Sequence, residues 1–414
     1  MIKIILLLML SLGVLFAQKL TLSDAIQKAL STHPDVKRFE LQVRKSESLV
    51  DISRADYLPQ VNLNAEYNPT KTYIFPRNGT FNTINNNGYN IGASVHQKVW
   101  DFEKTLLSID AKNEGISIAK LSLKDAKAYL AYKVKIQYEL MLVQRLAMDV
   151  RKKDLQAKEA LYKQAEALVK QGMKTSADAT RFLSSFYVAK DNLAISKASF
   201  DKARNTLSLY IHEKIPSDVT LDDSMLSFYD LSDGKKIIES SPSLLALKKG
   251  VQKSSLEYKS AKSSHYGSVD FVASYNYLST LNNYDSTLVG ITLDLPLYSG
   301  GRISALAQQA QIDKQSALAE YDSKRVALEE EIGSLIIDIK RYKKTILAKQ
   351  AQLDAATSTT NLLEARYKEG LATYIEVLDS FALKLDAQLG LLSARYERSS
   401  AIHKLQYLEG KIDE

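Results

Sequence analysis

The sequence predicts a mixed α and β membrane protein that is built from two copies of one unit. Three observations support this fold class: four segments of alternating apolar and polar residues, two very long proline-free helical segments, and an internal repeat. The composition, with 45% apolar residues, excludes a disordered chain. The absence of cysteine excludes disulfides and thiolate sites.

The N-terminal residues 1–17 have the pattern of a cleaved secretory signal peptide. Lys3 precedes an apolar run over residues 4–16, and the small residue Ala17 precedes the expected cleavage point. About thirteen apolar residues are too few to span a bilayer. The alternative is a buried N-terminal helix. No cysteine follows Ala17, so we expect no N-terminal lipid anchor.

The internal repeat divides the mature chain into unit 18–215, a polar linker 216–234 and unit 235–414. Pro34 corresponds to Pro242, and the segment that ends at Gly172 corresponds to the one that ends at Gly370. Each unit is predicted to contain a short helix, two strands, a long helix, a turn near residue 172 or 370, and a second long helix. The short helices are expected over about 22–57 and 235–262.

The alternating segments predict strands, which we list in chain order: about 61–67, 89–99, 269–277 and 286–295. Their length suits tilted membrane strands, although a soluble sandwich would show the same alternation. Four strands cannot close a barrel, so membrane strands would have to be pooled between chains. Two chains would give eight strands and three would give twelve.

Loops are expected over about 68–88 and 278–285. The first loop contains Asn78-Gly79-Thr80, which matches a glycosylation sequon and equally matches turn chemistry.

The long helices are predicted over residues 103–171 and 303–369, with return helices over about 173–212 and 371–408. Apolar residues at alternating spacings of four and three predict a coiled-coil seam on the segment 303–369: Leu328, Ile332, Leu335, Ile339, Tyr342 and Ile346. Helices of this kind also fit a secreted periplasmic coiled-coil structural tether, which remains the alternative function. A soluble protein that forms pores after release is a third hypothesis.

Four short segments resemble the TolC-type outer-membrane efflux protein family, also called outer membrane factors. Leu-Pro-Leu-Tyr-Ser-Gly-Gly-Arg at 295–302 is similar to the family's strand-to-helix junction, and Tyr-Leu-Pro-Gln-Val at 57–61 is similar to its helix-to-strand entry. The segments 172–178 and 367–379 resemble its two helical-hairpin tips.

The resemblance implies a homotrimer with a twelve-stranded transmembrane β-barrel and a long α-helical coiled-coil barrel. Such a trimer would be the passive exit duct of a tripartite efflux pump or type I secretion system. It would lie in the outer membrane of a Gram-negative cell with a long periplasmic extension. Its implied partners are outer-membrane lipid, a periplasmic adaptor (membrane fusion protein) and, through the adaptor, an inner-membrane transporter.

The resemblance also assigns roles to residues near the tips. Glu376 and Asp379 correspond to a channel constriction, where rings of carboxylates would favour cations. The alternative is a solvated helix face. Asp178 and Tyr367 correspond to a latch between hairpins. The expected adaptor-docking tips contain Gly172, Lys174, Gly370 and Ala372. At Ala372 the family often has a basic residue, and Lys174 could replace it.

No catalytic, cofactor, metal or nucleic-acid site is predicted. The five histidines share no ligand spacing, and the sequence has no phosphate-binding or nucleophile motif. The formal charge of +7 is spread along the helices. The sequence leaves the cargo open between drugs, metal ions and a polypeptide.

Overall fold

The computed structural model describes residues 19–74, 82–222, 234–279 and 283–412. The predicted signal peptide and the Asn78-Gly79-Thr80 motif therefore lie outside the described residues. The helices of the described residues are α1 (Leu22–Thr32), α2 (Pro34–Ala55), α3 (Lys104–Lys170), α4 (Ser176–Ile211), α5 (Gly234–Ser240), α6 (Pro242–Ser263), α7 (Arg302–Lys368) and α8 (Tyr374–Glu409). The strands are β1 (Lys19–Leu20), β2 (Gln60–Ile74), β3 (Asn82–Trp100), β4 (Thr220–Leu221), β5 (Ser268–Ser279) and β6 (Asn283–Asp294).

The long helices agree with the predicted repeat register. Helices α3 and α7 both have 67 residues, and α4 and α8 both have 36. Each bound of α7 and α8 lies 198 positions after the matching bound of α3 and α4. Three residues of the predicted seam, Leu328, Ile332 and Ile339, are buried. These matched lengths support the proposed internal duplication.

The predicted single short helix in each unit is wrong, because each is divided in two. Helix α1 ends before His33, which has an extended backbone, and α2 begins at Pro34. The second unit repeats this break between α5 and α6, at Ser241 and Pro242. Proline disfavours helical geometry in the residue before it and is well placed at the first position of a helix.

The four long strands form one antiparallel sheet in the order β2-β3-β5-β6. The strands extend further than predicted, so much of the segment 68–88 belongs to the β2–β3 hairpin rather than to a loop. Likewise Ser279 pairs with Asn283 inside the predicted loop 278–285. Backbone N–H and C=O groups form the hydrogen bonds between strands. Strand pairing can therefore continue beyond the residues whose side chains alternate between apolar and polar.

The linker predicted over 216–234 is partly structured. Thr220 and Leu221 form β4, which pairs in parallel with β1. The hydroxyl of Tyr138 donates to the Leu20 carbonyl at 2.8 Å and accepts from the Asp222 N–H at 2.9 Å. Residues 223–233 lie outside the described residues, and α5 begins at Gly234.

The chain forms two compact units, and each takes segments from both predicted repeats. The first unit comprises the described parts of 1–38, 123–242 and 326–414, and contains both hairpin tips. The second comprises 39–122 and 243–325, and contains the four-stranded sheet. None of the described helices is long and apolar enough to cross a membrane.

Candidate functional site at the two hairpin tips

Each hairpin tip turns at a glycine with a left-handed backbone. The φ angles of Gly172 and Gly370 are +73° and +78°, a region that disfavours residues with a Cβ. The Gly172 N–H donates to the Val169 carbonyl at 3.0 Å, and the Leu371 N–H donates to the Arg366 carbonyl at 2.8 Å. Such bonds satisfy carbonyls at the end of a helix. The predicted turn role of both glycines is confirmed, whereas their docking role stays a prediction.

The return helices begin with capping boxes that were not predicted. The Thr175 N–H donates to the Asp178 carboxylate at 3.2 Å, and the Asp178 N–H donates to the Thr175 hydroxyl at 3.3 Å. Thr373 and Glu376 repeat this exchange at 2.7 and 3.3 Å. A threonine three residues before an acid is the sequence signal of this motif. Asp178 and Glu376 therefore have a structural role in addition to the roles predicted for them.

The two candidate constriction residues are both exposed to solvent. Val377 and Ser380, which follow Glu376 and Asp379 by one residue, are buried. The carboxylates thus lie on the open side of α8, as their spacing of three residues predicts. The Thr373 backbone N–H, and next its hydroxyl, lower the pKa of Glu376 by bonding to the ionised form. Glu376 is consequently charged at neutral pH.

Tyr367 is fully buried between the two hairpins of the first unit. Its ring packs edge-on against Phe182, with 5.4 Å between the centroids. Within the described residues its hydroxyl has no hydrogen-bond partner. Burial, and next the charge of Asp178, raise the pKa of Tyr367. The predicted pair is therefore close enough to interact electrostatically, although no direct hydrogen bond joins it.

Lys174 connects the first tip to the second. Its Nζ lies 3.5 Å from the Ala372 carbonyl oxygen and 5.2 Å from the centroid of the Tyr367 ring. The first contact is a long hydrogen bond, and the second is within the range of a cation–π interaction. Alanine has no polar side chain, so the backbone carbonyl of Ala372 is the acceptor at this position. The structure thus brings together Lys174, Ala372 and Tyr367.

An apolar cluster lies at the tips, and of its members the sequence singled out only Tyr367 and Ala372. Seven buried residues contact one another here: Leu161, Ala165, Phe182, Tyr367, Ala372, Val377 and Phe381. They come from α3, α4, α7, α8 and the second turn, so the cluster packs the second turn and the ends of all four helices together. Their helical spacing is a sequence signal for burial, but it does not specify which helices meet.

Comparison with known proteins identifies relatives over most of the chain. A family model described as outer membrane efflux protein matches residues 25–211 and 234–411. Outer membrane efflux protein BepC of Brucella suis is 21% identical over 404 residues, covering 95% of this chain and 86% of that protein. Proteases secretion protein PrtF of Dickeya chrysanthemi is 23% identical over 424 residues, covering 96% and 90%.

Solved structures show the same fold. The crystal structure of the outer membrane protein VceC from Vibrio cholerae superposes with a TM-score of 0.82 at 17% identity. The match covers 95% of this chain and 97% of that one. The order of helices and strands described above is therefore shared with VceC over nearly its whole length.

Proposed function

This chain belongs to the outer membrane efflux protein family, and from that membership we propose that it is the outer-membrane channel of an efflux pump or a type I secretion system. The resemblance to TolC-type proteins noted in the sequence is confirmed by this match. The relatives BepC and PrtF carry names that refer to efflux and to protease secretion. We infer a passive exit duct without catalysis, whose cargo is selected by its partners.

The observation that supports the proposal best is the two-faced sheet with open edges. Cross-strand register places Val61, Val95, Ala273 and Val289 in one apolar row. The next row is polar on three strands, with Asn62, Ser94 and Ser274, and ends in Leu288 on β6. On the edge strands the apolar side chains are strongly exposed, with Leu63 at 79% and Ile291 at 73%. A soluble coiled-coil tether would gain nothing from such a surface.

The open edges of β2 and β6 favour assembly from several copies. Each has a paired neighbour on one side only within the described sheet. Unpaired backbone groups cost several kcal/mol each in lipid, so the edges must be covered by other strands. Three copies would supply twelve strands and close a channel, whereas eight strands from two copies leave a lumen filled by side chains. We therefore propose a homotrimer in the outer membrane.

The proposed partners meet the protein at its tips. An adaptor in the periplasm, itself bound to an inner-membrane transporter, would dock around the turns at Gly172 and Gly370. The two turns protrude beyond the ends of α3 and α7 and are largely exposed. We infer that rings of Glu376 and Asp379 line the mouth of the duct, where their exposed carboxylates would favour cations.

The channel is tested in planar bilayers with the purified full chain. We expect cation-preferring channels from the wild-type protein, and a higher conductance with weaker cation preference from Glu376→Gln combined with Asp379→Asn. Asp386→Asn, which changes another exposed carboxylate of α8, is the matched control. A protein that fractionates as a soluble monomer and forms no channels contradicts the proposed function. Wild-type ion selectivity in the double variant would contradict only the proposed carboxylate rings, and not the channel itself.

The Lys174 contacts are proposed to hold the tips closed. A cation–π contact is worth about 0.5–1 kcal/mol at an exposed site. Lys174→Met should therefore increase the open population of the same channels by roughly two- to fivefold. Lys170→Met, an exposed change at the end of α3, is the control and should leave gating unchanged. Equal open probability in both variants would show that Lys174 is not a latch.

A further inference from the structure

A basic crevice lies between α3 and α8 in the first unit, close to the tips but distinct from them. Its volume is about 120 Å³, and it opens to the surface. Val150, Ala157 and Phe381 contribute apolar groups to its lining, and Lys153 and Lys384 contribute basic ones. A water molecule takes up about 30 Å³ of liquid, so the crevice has room for roughly four waters or one small acid group.

The charges around the crevice are unbalanced in favour of an anion. Within the described residues, neither Lys153 nor Lys384 forms an ion pair. Lys158, one helical turn along α3, is 6% exposed and also lacks an ion pair, and its Nζ lies 4.7 Å from the centroid of the Phe381 ring. Asp154 is the only acidic residue of the crevice lining. Two lysines of the crevice lining, with Lys158 beside Phe381, thus stand against one carboxyl group.

The protonation preferences of the buried groups agree with this imbalance. Burial raises the pKa of Asp154, which favours its neutral form, against the opposing charges of Lys158 and Arg151. Burial also lowers the pKa of Lys158, so an added anion nearby would stabilise its charged form. A buried lysine without a salt-bridge partner costs free energy of folding, which is expected where a ligand supplies the missing charge.

We propose that this crevice receives a single carboxylate side chain of a partner protein. The apolar groups of the lining suit the methylene groups of aspartate or glutamate, and Lys153 and Lys384 would bind the carboxylate. Exposed ion pairs stabilise a complex only weakly, so a free small acid would bind with a Kd on the order of 0.1 M. Useful occupancy therefore requires that the acid be attached to a larger docked surface. This inference rests on the proposed function, which places a docked partner at the tips. The crevice is close to them, since Phe381 belongs also to the tip cluster.

Propionate, the analogue of a glutamate side chain, tests the site on the purified full chain. Lysine acylation is followed residue by residue by mass spectrometry, with chloride at equal ionic strength as the control. At about 0.5 M propionate, several times the expected Kd, acylation of Lys153 and Lys384 should slow by about three- to fivefold, since a bound carboxylate stabilises the charged ammonium, which does not react. Lys197, exposed on α4, is the reference and should not change. Equal rates at all three lysines would overturn the site.

Carbodiimide treatment of intact envelopes then identifies the source of the carboxylate, because it joins lysine to a contacting acid. We expect Lys384 or Lys153 to be linked to an aspartate or glutamate of another protein, with the link suppressed by propionate. Links only to Asp154 or to another copy of this chain, or no link despite propionate protection, would overturn the partner assignment. Channel conductance without propionate protection would contradict only the proposed carboxylate site. Absence of channel conductance would contradict the proposed function.

Discussion

Glu139→Ala should lower the thermal unfolding midpoint of this protein more than any other single charge removal. Glu139 on α3 and His403 on α8 are both fully buried, and the carboxylate Oε1 lies 2.9 Å from the imidazole Nε2. The Ser399 hydroxyl donates to the same carboxylate oxygen. Removing one member of a buried pair of this kind costs about 3–5 kcal/mol, because the other member stays buried.

The surrounding polar groups increase this dependence on Glu139. The other ring nitrogen of His403, Nδ1, lies 3.0 Å from the Gln406 side-chain oxygen, which also accepts from the buried Lys135 ammonium at 3.2 Å. Both imidazole nitrogens therefore face oxygen atoms. Burial, and next the Glu139 charge, raise the pKa of Tyr396 to about 12. The carboxylate is thus the negative centre of a network that joins α3 to α8.

Unfolding of the helices followed by far-ultraviolet circular dichroism measures the effect in detergent. Glu159→Ala is the matched control, since Glu159 lies on the same helix and forms an exposed ion pair with Lys163, a pair worth about 0.3–0.5 kcal/mol. Glu139→Leu combined with His403→Leu should recover part of the lost stability, because neither member of the pair then stays buried alone, and Ser399 is the group that loses its acceptor. Equal midpoints for Glu139→Ala and Glu159→Ala would contradict the argument.

The sequence could not reveal this pair, for a physical reason. Glu139 and His403 are 264 positions apart, and each lies within a helix rich in charged residues, where an acid or a histidine usually faces solvent. Local signals were more informative. Alternation predicted the four strands, and the glycine turns predicted both tips, because these features depend on neighbours in the chain.

The junction after each strand pair shows where local signals were incomplete. In the second repeat Gly300 and Gly301 have left-handed backbones, with φ of +63° and +81°. At the matching positions Phe102 and Glu103 have the same conformation, with φ of +55° and +67°. No glycine marks this turn, so only the repeat could have predicted it. Contacts of Phe102 with Trp100 and Tyr266, at centroid distances of 4.1 and 5.4 Å, accompany this unfavourable geometry.

Gly267→Ala should strongly destabilise the four-stranded sheet. Gly267 precedes β5 with φ of +79°, and a Cβ at this position would lie 1.9 Å from the backbone oxygen of Asp294. Asp294 is the last residue of β6 and pairs with Ser268, so the clashing group belongs to the ladder itself. The backbone must shift, unlike a flexible side chain, and the left-handed conformation adds about 1–2 kcal/mol for alanine. The total cost is on the order of 3 kcal/mol or more.

Gly290→Ala separates this steric argument from a general effect of removing glycine. Gly290 lies within β6 of the same sheet, and apart from its two chain neighbours no described residue would have an atom within 4 Å of a Cβ added there. Folding is measured as the fraction of full-length protein that resists proteolysis in the membrane. Gly267→Ala should lose most of this fraction, while Gly290→Ala should retain it. Comparable yields of the two variants would show that β5 and β6 can separate at this end, and that the close approach of Gly267 to Asp294 does not determine the register of the sheet.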